Sequence, residues 1–274
     1  MVHKNKIFYI VRLYNLAISK YFPGFIRKIL LKKNNITFIP TKLRRLPINN
    51  YPTQDSFKFQ ENLIKSYEKS QSISFNSYFN LKKILREKYD SSSNFNFLDF
   101  GGDKIDLYLD ISKEFKNVNY FLLNQNKINN ILNNLKDKYG YKNLNIINDL
   151  SETKKFKYDF VFFGSTLQYL DNYRDTLSTI LPLTNQFILF SATHFFTCKN
   201  LLSEIVVKQL NYLPKEYYLY FINLDNFTKI LKSHNFIENF NLANMNFPSN
   251  YNTFSNLNLE DISYRDILYS KNTN

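Results

Sequence analysis

Two short apolar runs that end on glycine constrain this chain more than any other feature. They are NFNFLDFGG (residues 94–102) and KYDFVFFGSTLQYLDNY (residues 157–173). A Phe-rich run of this length, bounded by polar residues, predicts a strand buried on both faces of a parallel sheet. The chain holds only five glycines, and Gly101, Gly102 and Gly164 sit at these two strand ends. Glycine used so sparingly is expected where a turn needs positive φ or where backbone must approach a small molecule closely.

The surrounding pattern alternates. Strand-like runs at 95–100, 118–124, 144–148, 160–164 and 186–192 are interleaved with helix-like runs at 105–115, 127–139 and 172–181. Such alternation predicts βαβ crossovers and an α/β, doubly wound fold, a mostly parallel sheet with helices on both faces. A further helix fits 224–233, capped by Asn223 or Asp225. Two late strands at 236–241 and 265–270 flank an Asn-rich loop and close the main fold, which spans 94–274. Helices at 59–70 and 75–88 form a lead-in over 55–93.

The charge is segregated. Of 36 Lys and Arg, eleven fall within residues 1–54, which hold no Asp or Glu, so the rest of the chain nearly balances its 23 acids. Residues 1–34 read as two basic amphipathic helices broken at Pro23-Gly24, and 34–54, with Pro40, Pro47 and Pro52, as an extended linker. A basic amphipathic arm suits an anionic membrane surface; the competing reading is that its apolar face docks on the main domain. Nucleic acid is a poorer partner, because the arm is apolar at helical spacing and the body is near neutral. The single cysteine, Cys198, excludes an internal disulfide and fits a reducing cytoplasm, and no apolar run is long enough to span a bilayer. No His or Cys cluster has metal-ligand spacing, so no metal site is expected.

Ligands of an open parallel sheet bind beyond the carboxyl ends of its strands. Four such ends supply glycine or polar residues here: Gly101-Gly102, Asn124-Gln125, Asp149 and Gly164-Ser165. His194, after the fifth strand, is the histidine expected at that rim, as a general base or as a structural residue.

LDFGG, followed by a βα unit and then FFGSTLQY, resembles class I S-adenosylmethionine-dependent methyltransferases. More narrowly, it resembles a methyltransferase family associated with bacterial surface-polysaccharide (O-antigen and capsule) biosynthesis. The resemblance covers roughly residues 94–240, and FFGSTLQY is its more specific part. It implies S-adenosyl-L-methionine as cofactor, a saccharide or glycan-precursor acceptor, and a cytoplasmic enzyme, peripheral at the membrane if the arm binds there. Asp99, Gly101 and Gly102 would cradle the methionine end, with Asn124 and Gln125 toward the ribose and Asp149 and Leu150 against the adenine. Gly164 and Ser165 would complete the cofactor pocket, and Gln168 and Tyr169 would face the acceptor.

Two positions depart from the family pattern. Asp103 and Ile105 occupy the later glycine positions of D-x-G-x-G-x-G, and Asn124 stands where an acid usually holds the ribose hydroxyls. A neutral acceptor makes the weaker bond, since charge-assisted hydrogen bonds are about twice as strong. These departures raise the alternative of a catalytically degenerate relative serving as a binding or scaffold subunit at the membrane. A nicotinamide-dependent reductase fits less well, because G-x-G-x-x-G spacing is missing and no Tyr-x-x-x-Lys pair follows.

Overall fold

The computed structural model describes residues 36–47, 57–70, 79–198, 204–210, 216–243, 249–250 and 261–272. The expected arm helices of residues 1–34 and the first turn of the helix expected at 75–88 lie outside the described residues. In chain order the elements are β1 (Ile36–Pro40), α1 (Phe57–Ser70), α2 (Phe79–Lys88), β2 (Phe95–Phe100), α3 (Ile105–Glu114), β3 (Val118–Leu123), α4 (Asn126–Tyr139), β4 (Leu144–Ile147), β5 (Tyr158–Gly164) and α5 (Tyr173–Ile180). They continue as β6 (Thr184–Thr197), β7 (Ile205–Leu210), β8 (Glu216–Asn223), α6 (Leu224–Ser233), β9 (Phe236–Ala243), β10 (Ser249–Asn250) and β11 (Asp261–Lys271).

The core sheet runs β4-β3-β2-β5-β6, all parallel, and continues through β11, antiparallel to both β6 and β9. The strand order reverses between β2 and β5, the two strands that carry the glycine-ended runs. Strand alternation explains why these runs are apolar throughout. Phe95, Phe97, Phe160 and Phe162 face a cluster with Leu85 of α2, Ile105 and Ile111 of α3 and Leu132 of α4. Leu98, Phe100, Val161 and Phe163 face the opposite cluster, with Leu177 of α5 and Phe227 and Leu231 of α6. Full burial of one such phenyl group contributes roughly 1.5–3 kcal/mol. Helix α6 starts as the residue pattern predicts, with the Asn223 side chain accepting the Asn226 N–H at 2.9 Å.

Two features differ from the sequence-based expectation. The strand expected to end at Ala192 continues to Thr197 through a bulge. Ser191 and Ala192 together oppose Asp266 of β11, and Ala192 has φ +55°. The buried Asp266 carboxylate holds the bulge by accepting from the Ser191 hydroxyl and the Ala192 N–H, both at 2.8 Å, and from Asn80 at 2.6 Å. Past the bulge, β6 outruns β5 and takes β8 as its new parallel neighbour.

The second difference is the small sheet that this extension nucleates, β8-β7-β1-β10. Residues 36–40, read as part of an extended linker, are extended but form its strand β1, antiparallel to β7, and Phe38 is buried against Phe196, Val207, Leu219 and Phe221. Among the described residues no helix is long and apolar enough to cross a membrane.

Candidate functional site

A cavity of about 500 Å³ opens beyond the carboxyl ends of β2, β3, β4 and β5, at the point where the strand order reverses. A volume of that size suits a nucleoside-sized ligand. Its base is the turn after β2. Gly101 has φ +83°, and its N–H donates to the Leu123 carbonyl at 2.7 Å. A Cβ there would lie 2.2 Å from the Thr166 side chain, so the turns after β2 and β5 touch through the missing methyl. A Cβ on Gly102 would lie 2.0 Å from the Asp99 carboxylate.

Asp99 supports this turn from below. It is buried, accepts the Tyr120 hydroxyl at 2.8 Å, and does not line the cavity. Burial pushes its carboxyl up to about 7 against the pull of that hydrogen bond, and Asp103 and Asp106 add repulsion.

Asn124 ends β3 and lines the cavity, yet its amide is already engaged. Nδ2 donates to the carbonyls of Gly101 at 3.1 Å and Gly102 at 2.7 Å, and Oδ1 accepts the Gln125 N–H at 2.7 Å. The residue that departs from the family pattern thus ties the glycine turn to the neighbouring strand. Gln125 lines the cavity from an exposed position. Asp149 and Leu150 line it at the end of β4. The exposed Asp149 carboxylate accepts from the Ser151 hydroxyl and from the N–H groups of Ser151 and Glu152, and these bonds hold its pKa below the usual range, the hydroxyl contributing most.

Of the remaining expected site residues, Tyr169 lines the cavity, its hydroxyl donating to Gln209 of β7 at 3.2 Å. Gly102, Gly164, Ser165, Gln168 and His194 do not. Gly164 closes β5 against the Phe162 ring. Ser165, at φ +55°, donates its N–H to the Ser191 carbonyl at 2.8 Å, which links this turn to the Asp266 bulge. Gln168 is buried; its Nε2 donates to the Ser165 hydroxyl and its Oε1 accepts the His194 backbone N–H at 2.8 Å and faces Nδ1 at 3.0 Å. An acceptor at Nδ1 selects the tautomer with its proton there.

His194 is expected at the rim but sits inside the continued β6. Its ring stacks on Phe221 at 4.8 Å and packs against Phe38 and Tyr264. Burial lowers its pKa to about 3, so the ring is neutral near pH 7 and is poorly matched to proton abstraction there. The same shift makes a stability prediction. The unfolded chain takes up a proton near the ordinary 6.5 and the folded chain does not until about 3. Stability tied to His194 is therefore complete above 6.5 and falls as the pH drops toward 3, at up to about 1.4 kcal/mol per pH unit. Denaturation midpoints of wild type and His194→Gln between pH 6 and pH 4 are expected to converge; parallel curves would refute a buried neutral ring.

Several site residues carry no local sequence signal. Leu46 and Pro47 line the cavity with Phe100, Leu123, Thr166, Leu170, Asp171 and Tyr218. Gln60 of α1 is fully buried, donating to the Asp103 carbonyl at 2.6 Å and accepting the Ile105 N–H at 3.0 Å, so it caps α3 where Lys104 makes no side-chain cap. Asn129 of α4 donates to the carbonyls of Asn124 at 2.9 Å and Ile147 at 2.8 Å, setting the spacing between the ends of β3 and β4.

No protein-family model and no curated protein matches this chain. Solved structures do. The N-terminal domain of EvdMO1, crystallised in the presence of SAH and D-fucose, superposes with a TM-score of 0.50 at 10% identity, covering 81% of this chain and 100% of that one. An S-adenosylmethionine-dependent methyltransferase from Clostridium acetobutylicum gives 0.46 at 9% identity over 77% of this chain and 98% of that one. The 1,6-didemethyltoxoflavin-N1-methyltransferase of Burkholderia thailandensis, with S-adenosylhomocysteine bound, gives 0.47 at 12% over 85% and 94%. At 10% identity the likeness to the EvdMO1 domain speaks for architecture alone. The chain has the Rossmann-like fold of class I methyltransferases, a mostly parallel sheet with helices on both faces.

Proposed function

We propose that the protein is an S-adenosylmethionine-dependent methyltransferase acting on a small hydroxylated acceptor of the saccharide or glycan-precursor class. One observation carries the cofactor reading. The cavity at the strand-order reversal rests on Gly101, whose Cβ position is closed to any side chain, and among the described residues its lining includes Asp149 and Asp171 but no Lys, Arg or His. A site with carboxylates and no basic residue suits a ligand that carries a sulfonium and an ammonium group.

Gly101 and Gly102 would hold the methionine end, Leu150 and Asp149 the adenine, and Tyr169 would stand toward the acceptor. When bound, S-adenosylmethionine supplies an electrophilic methyl group. The residues of this chain then align the acceptor and exclude water, through Leu46, Pro47, Leu170 and Tyr218. The saccharide class rests on the resemblance of FFGSTLQY to surface-polysaccharide methyltransferases. The D-fucose present with the EvdMO1 domain is of the same chemical kind.

A second reading, binding without transfer, is favoured by Asn124, whose amide is spent on the glycine turn. Isothermal titration tests the cofactor reading. Saturable binding of S-adenosylmethionine and S-adenosylhomocysteine is expected, and neither heat nor a thermal shift at millimolar ligand would overturn it. Radiolabelled methyl transfer to a saccharide acceptor then separates an enzyme from a binding subunit.

A further inference from the structure

The cavity and the segment that walls it differ in charge. Leu46 and Pro47 end a short strap that leaves β1 at Pro40. The strap is pinned at both ends. Thr41 donates its N–H and its hydroxyl to the Val206 carbonyl, at 3.0 and 2.9 Å. The Leu46 N–H donates to Asp171 Oδ1 at 3.1 Å, and the same oxygen accepts the Tyr220 hydroxyl at 2.9 Å. Between the pins, Lys42, Leu43, Arg44 and Arg45 are all exposed. Among the described residues no carboxylate forms an ion pair with Lys42, Arg44 or Arg45. The chain before them offers no acid either, since the first is Asp55.

Three cations in four residues, on a strap beside a cavity that holds none among its described lining residues, divide the site into a part suited to a positive ligand and an edge suited to a negative one. We propose that Lys42, Arg44 and Arg45 form an anion-binding edge that anchors the acceptor by a phosphate or diphosphate group while its reacting end enters the cavity. The term acceptor rests on the methyl-transfer reading; the anion site does not. Phosphate is favoured over a single carboxylate because two guanidinium forks and an ammonium match several charged oxygens on tetrahedral centres. A membrane lipid headgroup presents the same chemistry, so the test separates the two sources.

The full chain is titrated with inorganic pyrophosphate, with and without S-adenosylhomocysteine, beside the triple variant Lys42→Gln, Arg44→Gln, Arg45→Gln. All three side chains are exposed, so the variant is expected to fold, and its unchanged S-adenosylhomocysteine affinity and thermal midpoint check this. The expected result is pyrophosphate binding by wild type that weakens about tenfold or more in the variant, the loss of at least one charge-assisted contact. Equal affinities, or no binding by wild type, overturn the proposal. Wild type that ignores pyrophosphate but binds phosphatidylglycerol vesicles, with the variant losing that binding, overturns it in favour of a lipid surface. Pyrophosphate binding that depends on the three cations in a protein deaf to S-adenosylhomocysteine upholds the anion site and removes the methyl-transfer reading.

Discussion

Replacing Gly101 by alanine is expected to abolish S-adenosylhomocysteine binding and to lower stability by about 2–5 kcal/mol, read as a shift of the urea midpoint at unchanged slope. Two separate costs add. At φ +83° a Cβ is strained by roughly 1–2 kcal/mol. The new methyl would also lie 2.2 Å from Thr166 Cγ2 and 2.4 Å from its Oγ1, and forcing a buried neighbour aside costs typically about 1–3 kcal/mol. Thr166 cannot yield without consequence, because its hydroxyl donates to the Gly164 carbonyl at 3.1 Å and the residue lines the cavity. The double variant Gly101→Ala, Thr166→Ala removes the two closest contacts but leaves the Cβ of residue 166 at 2.8 Å and the strain at φ. It is expected to recover only part of the loss. Normal binding and stability in the single variant would show that the two turns do not meet as described.

The glycine turn was legible in the sequence because its cause is local. A chain with five glycines that places two in succession after LDF signals a tight turn or a close backbone approach. The core strands were legible for a related reason: burial on both faces writes a continuous apolar run, and Gly or Asn closes β2, β3, β4 and β5. The rest of the site depends on partners distant in sequence. Leu46 reaches the cavity only because Asp171, 125 residues away, accepts its N–H. Gln60 acts on Asp103 and Ile105 from another helix, and neither end of the pair shows a pattern.

His194 illustrates the limit best. Counting from the fifth strand places it at the rim, and that would hold if β6 ended at Ala192. The buried Asp266 of β11 instead stabilises a bulge, the strand runs on, and the ring is enclosed by Phe38, Phe221 and Tyr264. The run EYYLYFIN, aromatic and apolar, carries the signal that could have revealed the small sheet built on the continued strand.

Asn124→Asp inverts the expectation that the family pattern alone supplies. If an acid at the end of β3 serves only to hold a ribose, restoring it should tighten cofactor binding. The geometry here requires the opposite. Asn124 Nδ2 is a donor to two carbonyls, those of Gly101 and Gly102, and a carboxylate has no proton to give them. One carboxylate oxygen could still accept the Gln125 N–H, but the other would face both carbonyl oxygens. Losing these bonds at a half-buried site is expected to cost about 1–3 kcal/mol and to loosen the turn on which the cavity rests. S-adenosylhomocysteine affinity should fall about tenfold or more. The repulsion also raises the pKa of the introduced acid in the folded state. Protonation lets it donate to one carbonyl, so the deficit should be smallest in acid and grow as pH rises through that pKa. Titrating both proteins with S-adenosylhomocysteine at pH 5 and pH 8 reads the two effects together. Tighter binding by the variant at pH 8 would mean that the amide is free for a ligand, and the bracing role assigned to Asn124 would be wrong.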